Sequence, residues 1–416
     1  MSKVDIIKFA KAIKRKLKKK AVPYVSYCRR IERVKTNKRI CAMTFDDGPT
    51  YDSDITNTII DILNSYNAKG TFDIIGTTEE NYPDVPGKLG TPSWSGTAYD
   101  HYPKFEGDKN AGAVNCHDLI KKIIDSGHEI TNHTFSHILF GKKNIIYSKR
   151  HTLNSFDEVY DDVNKLHKYL FDNFNYAMKF SRPPHYVDKI KGGFSSYDIY
   201  SKIGYNYLAA SFDGAGWLPC QSEEEEIKAM TFPLEKALAE NPDALCGQII
   251  FQKDGYNMSL RAPVKYGLKA QLEILEKYGY KVVTVSELLE ESKFSDVGRD
   301  DPDYEIFSAL AEKHAIAFND NTLRPDVKMS KGELAMLIAP KEVSCDERIK
   351  EISEGKISSK SHYSAALNWC KNKGYLNDIK SPLSFGDIEK CSEYFDMSEL
   401  KILSRRELLT AFKLTK

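Results

Sequence analysis

The sequence predicts an α/β fold, either a parallel barrel or an open sheet, followed by a mainly helical region. Short apolar runs alternate with segments of helical periodicity over residues 40–290, which is typical of parallel strands joined by crossover helices. Motifs that combine Asp, His and Arg follow predicted strand ends, where α/β barrels place their sites. Past Leu289 the strand alternation stops and helical patterns remain. The 416 residues are enough for a barrel and a further domain.

Residues 1–39 form a basic segment ahead of the predicted sheet. Apolar residues recur there at three- and four-residue spacing, opposite a face of lysines, at Ile6, Phe9, Ile13 and Leu17. This pattern predicts an amphipathic helix. Two interpretations are open: the helix packs on the following domain, or residues 1–20 dock onto an anionic membrane surface with Lys18–Lys20 near the headgroups.

The strands and helices of the α/β region follow from their hydrophobic periods. Extended segments are predicted at Ile40–Phe45, 71–76, Glu129–Asn132, Ala177–Ser181, Tyr207–Phe212, Gln248–Phe251 and Lys281–Val285. Helices are predicted from Asp52 onward and at Leu119–Ile124, Phe156–Phe171, Ser195–Ile203 and Lys265–Tyr278. The long stretch Thr77–Asn115 has no clear period, and its aromatic residues either form a substrate-binding wall or hold the loop on the domain: Trp94, Tyr99 and Tyr102.

Two adjacent carboxylates end the first predicted strand, in the stretch Thr44-Phe45-Asp46-Asp47-Gly48-Pro49. Because side chains alternate along a strand, Asp46 and Asp47 are expected to leave it in different directions, and the Gly-Pro step then ends the strand. Adjacent carboxylates repel, and a fold tolerates them best when a cation or a proton-transfer role separates them. An Asx turn at a strand end is the alternative interpretation.

A second polar cluster follows the predicted strand Glu129–Asn132. His133 and His137 are four residues apart, and on a helical turn they would share one face about 6 Å apart, which suits a single metal ion. Together with Asp47 they make a set of two imidazoles and one carboxylate. Such a set leaves coordination positions for water and substrate, as catalytic metal sites do.

Taken in order, these motifs resemble the NodB-like polysaccharide deacetylases, carbohydrate esterase family 4, over residues 40–290. The stretch 44–49 resembles the family's first motif, 133–137 the second, 182–186 (Arg-Pro-Pro-His-Tyr) the third, and 70–76 the second strand. The resemblance implies an irregular (β/α)7 barrel. It also implies metal-dependent hydrolysis of N- or O-linked acetyl groups on a carbohydrate, with N-acetylglucosamine-type glycans favoured.

The resemblance implies roles for individual residues. Asp46 is the general base, and pairing with Arg182 is expected to keep it ionised. The divalent metal would be zinc, with cobalt as an alternative, and it would activate water and polarise the acetyl carbonyl. The metal ligands are Asp47, His133 and His137.

Other residues are assigned to the substrate and the oxyanion. The backbone N–H of His185 would help to hold the oxyanion, with Tyr186 beside it, and Trp217 would line the acetyl pocket. The rigid Pro183-Pro184 step favours a fixed presentation of Arg182 and His185. A surface ion pair is the alternative interpretation of Arg182.

The chain departs from the family at the general acid. The fifth motif normally ends a strand with Leu-x-His followed by Asp, and here Lys253 stands in the place of the His. The fourth motif normally carries an Asp-Trp pair whose Asp orients that His, and here Gly216 precedes Trp217. Both halves of the His–Asp pair are therefore missing together.

Four interpretations of this departure are open. Lys253 acts as the acid, with its pKa lowered by the metal charge; or Asp213 carries or orients a proton. Alternatively the enzyme is an esterase, since an alkoxide leaves with less need of a strong acid than an amine does. The fourth is a catalytically impaired glycan-binding protein that keeps the metal cleft. An active deacetylase or esterase with an assisting Lys253 is favoured.

Composition narrows the partners and the compartment. A formal net charge of +1 gives no case for nucleic-acid binding. Eight scattered cysteines without a CxxC pair indicate buried, reduced thiols. No secretory signal is recognised, because lysines interrupt the apolar residues of the N-terminus, and no stretch reaches the roughly 20 apolar residues of a membrane span.

Residues 294–416 contain two similar helical segments. Helices are predicted at Phe307–Ala315, Lys331–Ile338 and Tyr363–Tyr375, and Ser404-Arg405-Arg406-Glu407 opens the last one. The two segments resemble degenerate S-layer homology repeats, with Ser330-Lys331-Gly332-Glu333 at the position of that family's Thr-Arg-Ala-Glu motif. The resemblance implies binding to cell-wall glycan, and a helical cap that stabilises the barrel or a dimer is the alternative.

Three segments result: a basic segment 1–39, a catalytic domain 40–290 and a helical region 294–416. The two resemblances point to the cell surface, whereas the cysteines and the unrecognised signal point inside. A cytoplasmic position, or one on the cytoplasmic face of the membrane, is favoured, where the enzyme would trim a glycan precursor.

Overall fold

The computed structural model describes residues 22–77, 110–141, 152–257, 261–376, 378, 380–398 and 400–413. The predicted N-terminal amphipathic helix lies outside the described residues, and so do the aromatic residues expected to form a substrate-binding wall, Trp94, Tyr99 and Tyr102.

A single parallel sheet is the framework of the described α/β region. It has nine strands: β1 (Arg30–Ile31), β2 (Ile40–Asp46), β3 (Thr71–Ile74), β4 (Glu129–Asn132), β5 (Phe180–Ser181), β6 (Asn206–Leu208), β7 (Phe212–Asp213), β8 (Ile249–Lys253) and β9 (Lys281–Val283). Eight of these overlap the seven predicted extended segments, since the segment Tyr207–Phe212 overlaps both β6 and β7. Strand β1 was not expected, since it lies within the segment assigned to the basic N-terminus.

The sheet curls into an incomplete barrel. Its strand order is β1-β6-β5-β4-β3-β2-β8-β7, with β9 also paired to β2. Strands β6 and β7 lie on one stretch of chain, and they pair with β5 and β8 respectively. This stretch therefore joins the two sides of the sheet. The continuous strand predicted at Tyr207–Phe212 is wrong, because residues 209–211 leave the ladder where the chain passes from one side to the other.

Helices follow the strands as the periodicity predicts. They are α1 (Ile55–Ser65), α2 (His117–Asp125), α3 (Phe156–Phe174), α4 (Ser196–Ile203), α5 (Glu223–Glu240), α6 (Val264–Lys277) and α7 (Val285–Glu291). Helices α5 and α7 were not expected. The first turn of α5 is a run of four glutamates, which suits the positive end of a helix dipole, and Ser222 caps it by accepting from the N–H of Glu225 at 3.2 Å.

Register places polar residues side by side at the carboxyl end of the sheet. Strand β2 lies centrally, and six of its seven residues are buried. Its last residue, Asp46, is opposite Asp73 of β3 and Lys253 of β8, and Asp73 is opposite Thr131 of β4. Because paired residues of neighbouring strands point to the same face of a sheet, these four side chains form one row inside the barrel.

The C-terminal region is helical, as predicted. Its helices are α8 (Tyr304–Lys313), α9 (Lys331–Ile338), α10 (Arg348–Ser353), α11 (Ser364–Asn372), α12 (Phe385–Lys390) and α13 (Arg405–Thr410). The serines expected to open two of them do so, since Ser330 and Ser404 accept from the N–H groups of Glu333 and Glu407. The likeness to S-layer homology repeats stays a prediction.

Residues 22–35 run between the barrel and the helical region. Val25 forms a bridge with Phe318, the N–H of Lys35 donates to the Phe294 carbonyl at 2.8 Å, and β1 joins the barrel sheet. The helical region has its own cluster of buried apolar residues, to which Val25 belongs.

All eight cysteines are free thiols, and seven of them are buried, as expected. Among the residues described, none of the helices has both the length and the apolar character that a membrane span requires.

Candidate active site and metal centre

Asp46 and Asp47 leave the end of β2 in different directions, as predicted. Asp46 belongs to the strand, whereas Asp47 has a φ of 80°. Its N–H donates to the Asp73 carbonyl at 3.2 Å. This change of backbone conformation turns the Asp47 carboxylate towards the histidines and leaves Asp46 facing Arg182.

The three predicted metal ligands meet at this point. Asp47 Oδ1 lies 3.1 Å from Nε2 of His133 and 3.1 Å from Nε2 of His137. The donor atoms of the three buried residues lie within 4.8 Å of one another. A carboxylate with two imidazole nitrogens converging from a buried wall fits a divalent metal of the zinc type. The structure therefore contains a candidate metal site made of the predicted residues.

The two histidines do not lie on a helical turn, which corrects the prediction. Residues 133–139 form a bend, with positive φ at Thr134 (75°) and His137 (54°). The bend is held by buried side chains: the Phe135 N–H donates to Asp162 Oδ2 at 3.0 Å, and the Thr134 N–H to Asn132 Oδ1 at 2.9 Å. The rings approach to 4.9 Å between centroids because of this bend rather than of helical spacing.

Lys253 reaches the same carboxylate. Its ammonium group donates to Asp47 Oδ2, whereas the two histidines approach the other carboxylate oxygen, Oδ1. Burial raises the pKa of Asp47, but the ammonium of Lys253 and the imidazoles of His137 and His133 outweigh burial, and its pKa lies well below the usual range. Asp47 is therefore ionised, as a metal ligand must be.

Asp46 forms a buried ion pair with Arg182, as predicted. The guanidinium contacts Asp46 Oδ1, donates to Thr44 Oγ1 at 3.1 Å, and has no exposed surface. Burial raises the pKa of Asp46 to about 7, although Arg182 and His133 lower it. Arg182 and His133 do not outweigh burial at Asp46, because its side chain is almost entirely removed from water. The ionised state expected for Asp46 stays a prediction.

Arg182 is not part of a surface ion pair. Its guanidinium lies between two aromatic rings, 5.4 Å from the centroid of Tyr186 and 5.6 Å from that of Phe251. Its backbone N–H donates to the Asn132 carbonyl at 3.1 Å, and its carbonyl faces His133 Nδ1 at 2.8 Å. The third motif is thus attached to the second through both backbone and side chain.

The turn after the two prolines carries backbone strain. His185 and Tyr186 have φ values of 53° and 55°, which residues other than glycine adopt rarely. The ring of His185 lies 5.8 Å from that of His137, between centroids. The turn therefore brings both the backbone and the imidazole of His185 beside the metal ligands. Its role as an oxyanion donor stays a prediction.

Asp213 is a partner of Trp217. Its two carboxylate oxygens accept from the Trp217 indole N–H at 3.0 and 3.1 Å, and one also accepts from the Ala215 N–H at 2.9 Å. The carboxylate is exposed. This geometry fixes the Trp217 ring at the rim of the barrel and does not support a proton-transfer role for Asp213.

An Asp at Gly216 would require the side chain of Gln252 to move. A Cβ added there would lie 2.7 Å from Oε1 of Gln252. The Gln252 amide is buried and donates to Gln271, whose own amide donates to the Gly214 carbonyl at 3.1 Å. The loss of the His–Asp pair is therefore accompanied by a packed pair of glutamines beside it.

Asp73 belongs to the site, and it was not predicted as functional. It is fully buried, and its Oδ2 lies 3.0 Å from His133 Nδ1. In the sequence, Asp73 is a lone carboxylate within the apolar strand Thr71–Ile74. The resemblance to the deacetylase family covers this strand but implies no role for Asp73. Only the register with Asp46 shows that it faces the same interior.

Comparison with known proteins agrees with these motifs. Residues 33–191 match the family model of polysaccharide deacetylases. The chain is 25% identical over 258 residues to a peptidoglycan-N-acetylglucosamine deacetylase of Listeria monocytogenes, an alignment that covers 62% of this chain and 40% of that protein. It is 26% identical over 256 residues to such an enzyme of Bacillus cereus, with 62% and 91% covered. The chain thus spans about two fifths of the length of the first relative.

Solved structures are more distant. The CE4 family pseudoenzyme BA3943 of Bacillus anthracis has 16% identity and a TM-score of 0.41, over 62% of this chain and 68% of that one. The Bc1960 peptidoglycan N-acetylglucosamine deacetylase has 22% identity and a TM-score of 0.44, over 64% and 95%.

The family match and the geometry concern the same residues. Residues 33–191 contain the metal-ligand set and the buried ion pair that the fold brings together, Asp46, Asp47, His133, His137 and Arg182. This part of the chain therefore matches the polysaccharide deacetylase family at the residues that form the candidate site.

Proposed function

We propose that this protein is a metal-dependent deacetylase that hydrolyses the acetamido group of an N-acetylglucosamine-type glycan. One observation carries the proposal: a buried base, Asp46 with Arg182, lies beside a converging set of one carboxylate and two imidazoles. The curated relatives, named as peptidoglycan-N-acetylglucosamine deacetylases, support the choice of substrate.

The metal would be held by Asp47, His133 and His137, and zinc suits this ligand set, with cobalt as an alternative. A divalent metal supplies Lewis-acid chemistry there, polarising a carbonyl and making water more acidic. Asp47 is ionised and therefore able to bind a metal. Its pKa lies well below the usual range because Lys253 and the two imidazoles outweigh the effect of burial.

The reaction adds water to the acetyl carbonyl carbon. Asp46 accepts a proton from the attacking water, and Arg182 and Thr44 fix the position of this base. The backbone N–H of His185 donates to the oxyanion. The bond from carbon to nitrogen then breaks, giving acetate and a free amine, and the amine nitrogen takes up one proton.

Lys253 is the residue assigned to assist the departing group. Strand β8 ends at Lys253, in register with Asp46, and its ammonium group lies on Asp47. It is therefore a cation with a transferable proton inside the site. Asp213 is not assigned to this step, since its carboxylate binds Trp217. Trp217 is assigned to the wall of the acetyl pocket.

A second candidate function is glycan binding without turnover. The contact between Lys253 and Asp47 favours it, because an ammonium group on the carboxylate reduces the charge available to a metal. The packed Gln252 beside Gly216 favours it too, since an Asp in the place of Gly216 would require Gln252 to move.

Acetate release separates the two functions. Protein loaded with zinc or cobalt is incubated with N-acetylglucosamine oligomers, peptidoglycan fragments and acetylated xylan, and Asp46→Asn serves as the control. Release from the N-acetylated substrates that Asp46→Asn abolishes would support the proposal, and release from xylan alone would indicate an esterase. Metal-loaded protein that binds the glycans without releasing acetate would refute the proposed activity.

Two partners outside the barrel are proposed as well. Residues 1–20 are assigned to an anionic membrane surface on the cytoplasmic side, and the C-terminal repeats to cell-wall glycan. Binding to anionic liposomes at low salt that is lost at high salt is expected, and no binding at low salt would refute the first assignment. Pelleting with purified cell walls tests the second, and its absence would leave the helical region as a structural cap.

A further inference from the structure

A buried carboxylate that the proposed reaction does not use lies behind one metal ligand. Asp73 is in the middle of the barrel wall, on β3, and is fully buried. A buried carboxylate without compensation is costly, so its retention requires charged or hydrogen-bonding partners. Its partners are the side chains of Thr131 and His133.

The contacts of Asp73 point at His133. The Thr131 hydroxyl, on β4, donates to Asp73 Oδ1 at 2.6 Å, and this hydrogen bond fixes the position of the Asp73 carboxylate. The other oxygen, Oδ2, lies 3.0 Å from His133 Nδ1. The same Nδ1 lies 2.8 Å from the carbonyl oxygen of Arg182. Of the two neighbours, the carbonyl has hydrogen-bond geometry, and Oδ2 lies beside this bond without a hydrogen bond of its own.

These contacts determine which nitrogen of His133 carries a proton. A carbonyl oxygen and a carboxylate can only accept, so Nδ1 must carry a proton. His133 Nε2 faces Asp47 Oδ1 at 3.1 Å, and a metal bound to Nε2 would replace the proton that this contact holds there. Asp46, Asp73 and His133 also come close enough to form a second group of metal-ligand type. The protonated Nδ1 argues against a second ion there.

We propose that Asp73 is a positioning residue for the metal centre. Its buried carboxylate lies beside the hydrogen bond from His133 Nδ1 to the Arg182 carbonyl, where its negative charge stabilises the proton on Nδ1 and strengthens Nε2 as a ligand. This inference rests on the proposed metal-dependent function. Carboxylates or carbonyls behind metal-bound imidazoles fix the ring and raise its basicity. Asp73 adds a charge to the carbonyl already present, so His133 becomes a stronger donor than the carbonyl alone would make it.

Asp73 also acts on the other ligand through the backbone. Its carbonyl accepts from the Asp47 N–H at 3.2 Å. The residue thus contacts two of the three ligands, one by its side chain and one by its main chain. A substitution of the side chain leaves the backbone contact in place, so the effect on His133 can be measured separately.

The test is the affinity for Zn²⁺, measured by competition with a chromophoric chelator. Asp73→Asn keeps the size of the side chain and removes its charge, and we expect the dissociation constant to rise about 10- to 100-fold. Thr131→Val, which frees the carboxylate to move, should give a smaller rise. In the NMR spectrum of the Co²⁺ form, the resonance of the exchangeable proton on His133 Nδ1 should shift in Asp73→Asn. The resonance of the exchangeable proton on His137 should shift much less.

Asp254→Asn is the matched control for the loss of a buried carboxyl group near the site. Asp254 is also fully buried and near the site, but its carboxylate accepts from the Thr56 hydroxyl at 2.8 Å and not from a histidine. A rise in the Zn²⁺ dissociation constant in Asp73→Asn that clearly exceeds that in Asp254→Asn supports the proposal. Equal changes in both variants, or a lowered melting temperature with unchanged affinity and Co²⁺ spectrum, would overturn it. If the wild type binds metal and releases no acetate, the proposed function fails, and the affinities still decide the role of Asp73.

Discussion

Replacing Arg182 by methionine is expected to lower stability as well as activity, because Arg182 is the buried counter-charge of Asp46. Removing one partner of a buried ion pair typically costs about 3–5 kcal/mol. Arg182 has no exposed surface, and the variant also loses a hydrogen bond to Thr44 and the contacts of the guanidinium with two aromatic rings. We therefore expect a loss in the upper part of that range.

A double-mutant cycle separates the interaction energy of Asp46 and Arg182 from their other contributions to stability. Asp46→Asn leaves Arg182 with its other acceptors, so this variant alone should lose less stability than Arg182→Met. In the double variant Arg182→Met/Asp46→Asn neither charge remains, and it should be more stable than Arg182→Met alone. A coupling of about 2 kcal/mol is expected for two contacting groups of this kind.

The dependence on pH gives an independent check. Burial already raises the pKa of Asp46 to about 7 in the presence of Arg182, and removal of that cation raises it further. The folded variant then holds a proton that the unfolded chain releases, so stability falls as pH rises between the two pKa values. The loss of stability in Arg182→Met, relative to the wild type, should therefore be larger at pH 8 than at pH 6.

The assay is urea unfolding of the metal-free protein, followed by circular dichroism, so that differences in metal affinity do not contribute. Arg405→Met is a matched control: Arg405 is also buried and paired, with Glu333, but in the helical region. It should lower stability without reducing acetate release per folded molecule. A loss below about 1 kcal/mol in Arg182→Met, or strictly additive effects in the cycle, would refute the reasoning.

Three further predictions concern single positions. Lys253→Ala should lower kcat/KM for the best substrate by about 10²-fold at saturating metal, and an unchanged value would remove Lys253 from the mechanism. Burial lowers the pKa of His128 to about 4, so up to about 3 kcal/mol of stability should be lost as pH falls from 6.5 towards 4. His128→Asn should flatten that dependence in melting curves, since an Asn oxygen can replace the ring nitrogen that accepts from Gly70. Gly216→Asp should destabilise the protein by about 1–3 kcal/mol through the contact with Gln252. Adding Gln252→Ala to Gly216→Asp should recover part of that loss, and equal stability of the single and the double variant would count against this packing.

The sequence was sufficient for most of the elements and for the candidate metal-ligand set, because both depend on local signals. Hydrophobic periods predicted seven extended segments, which overlap eight of the nine strands, and most helices. The Asp46-Asp47 pair, the two histidines and Arg182 could be identified from their residue types and order. The misplaced features have local causes as well: the bend at 133–137 depends on positive φ values, and the four glutamates of α5 gave no apolar period.

Tertiary structure decided which charges meet. Asp73 and Lys253 lie far from Asp46 in sequence, and only strand register places all three in one row. The raised pKa of Asp46 is likewise a property of the whole barrel, since it comes from burial that no local sequence records. The sequence by itself determined the residues available for chemistry, whereas the packing of distant strands decided their distances and their protonation, because electrostatic energies depend on both separation and exclusion of water.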